Sequence, residues 1–188
     1  MQLYKIMYLM MAAFLFLTYA CVSRPDYPQD WNAVTKNSAI PNISGHYENI
    51  GEYGEDRKHK PNLYRLLIRG NFNDNNKIQS ISISQKESEL LIEAYSDGSI
   101  VESRIAKIES YNNEKGFIII NDPKPEGGVN RDGVLGYTWD SLAIAKSSDG
   151  SLIIRKDGGA VAIMLLIPVA ISEQNWYRFP RLVKQEIK

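Results

Sequence analysis

The sequence predicts an all-β protein: an antiparallel meander forming a barrel or a strongly curved sheet, with at most one short helix. Three observations carry that expectation. From Ile43 onward, short runs rich in Ile, Val, Tyr and Thr recur, with turn residues about every ten positions. Hairpin dipeptides, Asp97-Gly98 and Asp149-Gly150, fall between such runs. Helical periodicity is scarce.

Taken in order, residues 62–69 are the one candidate helix. Asn62 would cap its start, Gly70 would close its end, and Leu63, Leu66 and Leu67 would share a face. A strand through Tyr64, Leu66 and Ile68 is the rival reading, and the end chemistry favours the helix. Residues 78–84 alternate through Ile81 and Ile83, as a strand with one buried face does. Residues 90–95 and 99–108 flank Asp97-Gly98, where both central turn residues need positive φ. Residues 117–120 are continuously apolar, which suits a strand covered on both faces or a locally bulged one. Residues 142–146 and 152–156 flank Asp149-Gly150, and Asp157-Gly158-Gly159 reads as a further tight turn. It would lead into residues 160–171, the most apolar stretch after residue 20, expected as a deeply buried strand with Pro168 at an edge or bulge.

The N-terminus is of another kind. Lys5 precedes residues 6–20, which carry no charge, and Ala20 is followed by Cys21, the single cysteine. A basic start, an apolar core and a small residue before the cut are the marks of a secretory signal. The run is too short for the roughly 20 residues of a membrane-crossing helix. The arrangement resembles the lipobox of bacterial lipoproteins, although Thr18 and Tyr19 stand where leucine and a small residue are usual. The resemblance implies cleavage before Cys21, with diacylglycerol and fatty acids such as palmitate on the new N-terminus. Val22, rather than Asp, then implies export to the outer membrane of a two-membrane host, facing the periplasm. Residues 1–20 are thus expected as signal peptide, 21–43 as lipidated N-terminus and flexible tether, and 44–188 as one β-domain. Trp31, within the tether, is a candidate to dock on that domain.

Composition narrows the function. Acidic and basic residues number 22 each, and losing Lys5 with the leader leaves one acid in excess, so a nucleic-acid partner is not expected. The basic stretch Arg57-Lys58-His59-Lys60 lies among Glu52, Glu55 and Asp56 and reads as a solvated loop. With one cysteine, no disulfide staples the fold, and hydrophobic burial must hold it.

Candidate chemistry is thin. His46 and Glu48 would share a strand face, but a metal site needs three or four such groups, and no metal or cofactor is expected. No serine stands in a nucleophile elbow, so no catalytic residue is assigned. Glu52, Glu55, Asp122, Glu126, Asp132 and Asp140 could pair for acid–base work, the basis of an alternative reading as an envelope hydrolase. The glycines of 126–133 read as a loop rather than a phosphate cradle. Trp139, Trp176 and Tyr177 are either core rings or platforms for a ligand or partner.

Gly45-His46-Tyr47, with Arg178 following Trp176-Tyr177, resembles the opening and closing of lipocalin-like barrels. There a Gly-x-aromatic strand is covered by a late arginine. The likeness implies a small apolar ligand and adds Tyr47 to the ligand-binding candidates Trp139, Trp176 and Tyr177. The run Ile43-Ser44-Gly45-His46-Tyr47-Glu48-Asn49 also resembles small lipoproteins of Gram-negative bacteria, a likeness that implies no activity. The expectation is a non-enzymatic envelope lipoprotein that binds a small apolar ligand or an envelope component. The third reading is a structural or assembly module.

Overall fold

The computed structural model describes residues 22–23, 25–36, 39–54, 58, 60–69, 77–112, 115–121, 127–129, 135–164 and 167–182. The expected lipidation site, Cys21, lies outside them, as do Glu55, Asp122, Glu126 and Asp132. The elements are β1 (Val22–Ser23), β2 (Gly45–Glu48), β3 (Glu52–Tyr53), α1 (Leu63–Leu67), β4 (Ser80–Lys86), β5 (Glu89–Ser96) and β6 (Ser99–Lys107). They continue with β7 (Ser110–Asn112), β8 (Phe117–Asn121), β9 (Gly127–Val129), β10 (Leu135–Lys146), β11 (Leu152–Met164) and β12 (Ile167–Phe179).

The fold is all-β and mostly antiparallel. One sheet has the order β1-β12-β11-β10-β8-β7, with β3 also on β12 and β9 also on β10. The other runs β2-β4-β5-β6. Neither closes on itself, so the open sheet, not the barrel, is the arrangement found. By internal contacts the chain forms two units. The larger holds Pro25–Asp122, Ser141–Lys156 and Asn175–Lys188; the smaller holds Met1–Arg24, Pro123–Asp140 and Asp157–Gln174.

In the larger unit, strand periodicity sorts the core into two clusters. Ile118 and Ile120, Leu142 and Ile144, and Leu152 and Ile154 join Ile81, Ile83, Leu90, Ile92 and the α1 residues Leu63, Tyr64 and Leu67 in the first. Their neighbours Phe117, Ala143, Ala145, Ile153 and Trp176 belong to the second. Successive residues point to opposite faces of a strand, so β8 and its neighbours are apolar on both sides. The continuous run 117–120 is therefore the doubly covered strand its pattern predicts. Tyr27, Trp31 and Val34 cover the second face. Residues expected within the tether thus supply part of the core: Trp31 is buried, Thr35 N–H donates to Lys146 O at 2.9 Å and Ser148 N–H to Ala33 O at 2.9 Å.

Local rules explain several joins. Asp97 and Gly98 have φ of 50° and 77°, the mirror-image turn that their dipeptide predicts between β5 and β6. Asn62 caps α1 by accepting from Arg65 N–H at 3.0 Å. Gly70 lies outside the described residues, and the left-handed residue after the helix is Arg69, φ 55°. The helix ends one residue earlier than expected because Ile68 already takes the C-cap position.

Two expectations fail in the smaller unit. Asp157-Gly158-Gly159 makes no turn; β11 runs straight through it. A Cβ on Gly159 would collide with the Trp139 ring, so the glycine is there for a close approach and not for a bend. Residues 160–171 are not one buried strand either. They form the end of β11 and the start of β12, and Val161 and Ile171 are exposed.

The run from Ile43 to Asn49 is structural. Ile43 is fully buried, and its carbonyl accepts from Tyr47 Oη at 2.7 Å. The Tyr47 ring lies where a Cβ on Gly45 would stand, at 2.8 Å. Asn49 is buried and fully engaged: Nδ2 donates to Ile78 O at 2.9 Å, and Oδ1 accepts from Tyr64 N–H at 2.9 Å. One side chain so fixes α1 against the entry to β4.

Burial pushes the Tyr47 phenol up from 10.0 to about 12, against an opposing pull from Arg181. Because the folded value exceeds the unfolded one, the folded chain keeps this proton longer. The stabilisation is complete below about pH 10 and is lost as pH rises toward 12, by roughly 2–3 kcal/mol. Urea midpoints measured across that window should fall less for Tyr47→Phe than for the wild type. Equal slopes would contradict the assignment.

Candidate functional site

Among the described residues of the larger unit, a polar network centres on Arg178. β12 carries it, β3 supplies Glu52, and the loop between β10 and β11 supplies Asp149. Arg178 Nη1 meets Glu52 Oε2 at 3.3 Å, and Nη2 meets Asp149 Oδ2 at 2.6 Å. Asn32 Nδ2 donates to the same Asp149 oxygen at 2.8 Å, tying the N-terminal segment to the loop. The other oxygen accepts from Ser151 N–H at 2.9 Å and from Ser147 Oγ. Gly150, φ 86°, completes the loop, with its N–H on Ser147 O at 2.9 Å. This is a turn followed by a left-handed glycine, which explains why Asp149 itself needs no positive φ.

Partial burial alone would raise the Asp149 pKa. The hydrogen bonds from Ser147, Ser151 N–H, Asn32 and Arg178 outweigh it and hold the carboxyl well below its usual range. A carboxylate so held is a poor base and a worse acid at neutral pH. Toward Ser147, whose hydroxyl donates to it, the low pKa makes it a weak base. Burial would lower the Arg178 pKa, but Asp149 and Glu52 raise it. With two carboxylates on one guanidinium, the node has no positive charge left for an incoming anion. Arg178 Nε is buried without a hydrogen-bond partner. The adjoining cleft, about 230 Å³, is lined by Asp30, Trp31, Glu52, Lys60 and Arg178. Its lining is mostly polar.

Within the larger unit, the expected ligand residues Tyr47 and Tyr177 share one cluster and Trp176 lies in the other. Tyr47 is core, and Tyr177 packs against the same cluster, its ring 5.5 Å from that of Tyr53. Trp176 points to the opposite face, where Nε1 donates to Pro25 O at 2.8 Å. Its ring meets Tyr27 edge-on at 5.2 Å and Phe117 at 5.8 Å, and the Arg155 guanidinium lies 5.7 Å from it. Trp139 belongs to the smaller unit, half-exposed and stacked on Tyr137 at 6.1 Å. Arg178 does not cover Tyr47; the residue bridged to Tyr47 is Arg181.

Among the described residues, no three His, Cys, Asp or Glu side chains gather as metal ligands. His46 packs edge-on against Tyr95 at 5.3 Å. Of the carboxylates considered for acid–base work, Glu52 is taken by Arg178, and Asp140 lies in the smaller unit. Sequence reasoning missed Asp149 and Tyr27. The spacing Ser147, Asp149, Ser151 was the available signal, since such side chains cap their own loops. No family model matches the chain, and no curated protein matches it.

Proposed function

We propose that this protein is a lipid-anchored, non-enzymatic β-domain of a bacterial cell envelope, attached through Cys21 to the outer membrane and facing the periplasm. Its role is to bind an envelope component at its surface. The observation that carries this reading is the single cysteine directly after an apolar leader, where acylation chemistry requires it. One acyl chain holds a protein only marginally, whereas several make attachment lasting.

The filling of the larger unit supports surface recognition over carriage of an apolar ligand. Side chains occupy both faces of its main sheet, and the cleft beside Arg178 is polar. The ionised, fully engaged Asp149 weighs against hydrolysis. Among the described residues no helix is long and apolar enough to cross a membrane. Mass spectrometry of the protein purified from its native membrane tests the anchor. The N-terminal peptide should begin at an acylated Cys21; an intact leader with a free thiol overturns the proposal.

A further inference from the structure

We infer that the apolar end of the β11–β12 hairpin inserts shallowly into a lipid leaflet, a second membrane contact beside the N-terminus. The inference rests on the anchor reading for which membrane is met. Its physical basis is separate. Residues 158–172 carry no charge, and 160–171 are only Ala, Val, Ile, Met, Leu and Pro. β11 and β12 are neighbours in the sheet, so the described parts of this run, the end of β11 up to Met164 and the start of β12 from Ile167, are the two arms of one hairpin. In sequence, both arms are apolar at every position, with no polar residue at alternate places. A hairpin made for water alternates instead.

Two of its large side chains are uncovered: Val161 is 45% exposed and Ile171 57%. On β10 the stacked pair Tyr137 and Trp139 is 47% and 36% exposed. Such rings suit the headgroup boundary, where one part is wet and the other apolar.

The register of β1 identifies the occupant. β1 pairs parallel to β12, Val22 opposite Ser172 and Ser23 opposite Glu173. Going toward the N-terminus on both strands leads from Ser172 to Ile171 and from Val22 to Cys21. The described chain therefore begins, at Val22, beside the apolar end of the hairpin, and a lipid leaflet reached through the N-terminal anchor is the occupant this register favours. Depth is limited. At ~3.3 Å per residue, five-residue arms reach about half of a ~30 Å hydrocarbon core. Unpaired strand edges are not tolerated in hydrocarbon, which keeps the contact at the boundary of headgroups and acyl chains. Acids mark the water side: a Cβ on Gly158 would stand 2.8 Å from Asp140 Oδ1 and 3.6 Å from Glu173 Oε1. Insertion is thus driven by apolar surface and needs no anionic lipid.

The test reconstitutes the full, natively processed protein in phosphatidylcholine vesicles with brominated acyl chains and reads quenching of Trp139. Trp31 and Trp176 are buried and serve as background, measured in Trp139→Phe. Quenching is expected in the wild type, equal at roughly 0.1 M and 1 M salt. It should fall to the Trp139→Phe level in Val161→Asp/Ile171→Asp, whose exposed sites leave the new charges in water. Ile105→Asp, at a 65% exposed site on β6, should quench as the wild type does. No quenching in protein with an acylated Cys21 overturns the hairpin contact and leaves the anchor standing. Quenching in protein with a bare Cys21 does the reverse. Dimers cross-linked through Tyr137 or Ile171, without quenching, would assign the patch to a second copy and overturn the inference.

Discussion

Replacing Trp176 with alanine is expected to destabilise the larger unit by about 3–5 kcal/mol, as removal of a buried tryptophan from a packed face does. That is a large share of the roughly 5–15 kcal/mol that holds a domain together. The damage should be greatest at a distance in sequence. Trp176 Nε1 holds Pro25 O, and its ring is the surface on which Tyr27 rests edge-on. Without it, residues 25–35 lose the partner that makes them part of the core. Their amides should exchange faster and proteases should cut there first, while β4 and β5, in the other cluster, stay protected longer. Trp176→Phe keeps a ring against Phe117 and loses only the hydrogen bond and some volume, so it should cost markedly less. A loss below about 1 kcal/mol for the alanine variant, or unchanged protection of residues 25–35, would refute this role.

The parts of the fold legible in the sequence were those decided locally. Asp97-Gly98 fixes its own turn, Asn62 caps its own helix, and the unbroken run at 117–120 announces two covered faces. Each depends on neighbours within a few residues. The errors share a different origin. Asp157-Gly158-Gly159 looks like a turn because glycine permits one, but glycine also permits contact, and Trp139 on the adjacent strand decides between the two. The segment around Tyr27 and Trp31 looks like a tether because its prolines and polar residues show no period. It is held because β8, β10, β11 and β12 present a second apolar face that needs a cover, and that demand is written far away in the sequence. The candidate ligand residues Trp176 and Tyr177 fall in different clusters for the same reason. Successive residues such as Trp176 and Tyr177 face opposite sides of a strand, so adjacency in sequence separates them in space. Cys21 is legible because export chemistry reads a linear motif.

Asp149 is the position where a small change should have the next largest effect. Its two oxygens accept from four donors on three separate pieces of chain: Asn32, the Ser147–Ser151 loop and Arg178 of β12. Asp149→Asn preserves the shape but replaces one acceptor oxygen by an NH2 group. Placed toward Asn32 and Arg178, that group would set donor against donor. Turned the other way, it would face Ser147 and Ser151 N–H. Neither orientation satisfies the node, and Arg178 loses its closest counter-charge while partly buried. A loss of about 2–3 kcal/mol is expected, in line with the worth of hydrogen bonds to a charged group. The pH dependence has a definite sign. The unfolded carboxyl titrates near 3.8 and the folded one lower, so below that pH the unfolded chain binds the extra proton. The stabilisation from Asp149 is complete above the unfolded value and drains away as pH falls toward the folded one. Urea midpoints of the wild type should therefore drop below about pH 4, and those of Asp149→Asn should drop less. If the two proteins lose stability in parallel on acidification, Asp149 is not the group that locks the N-terminal segment, the loop and β12 together.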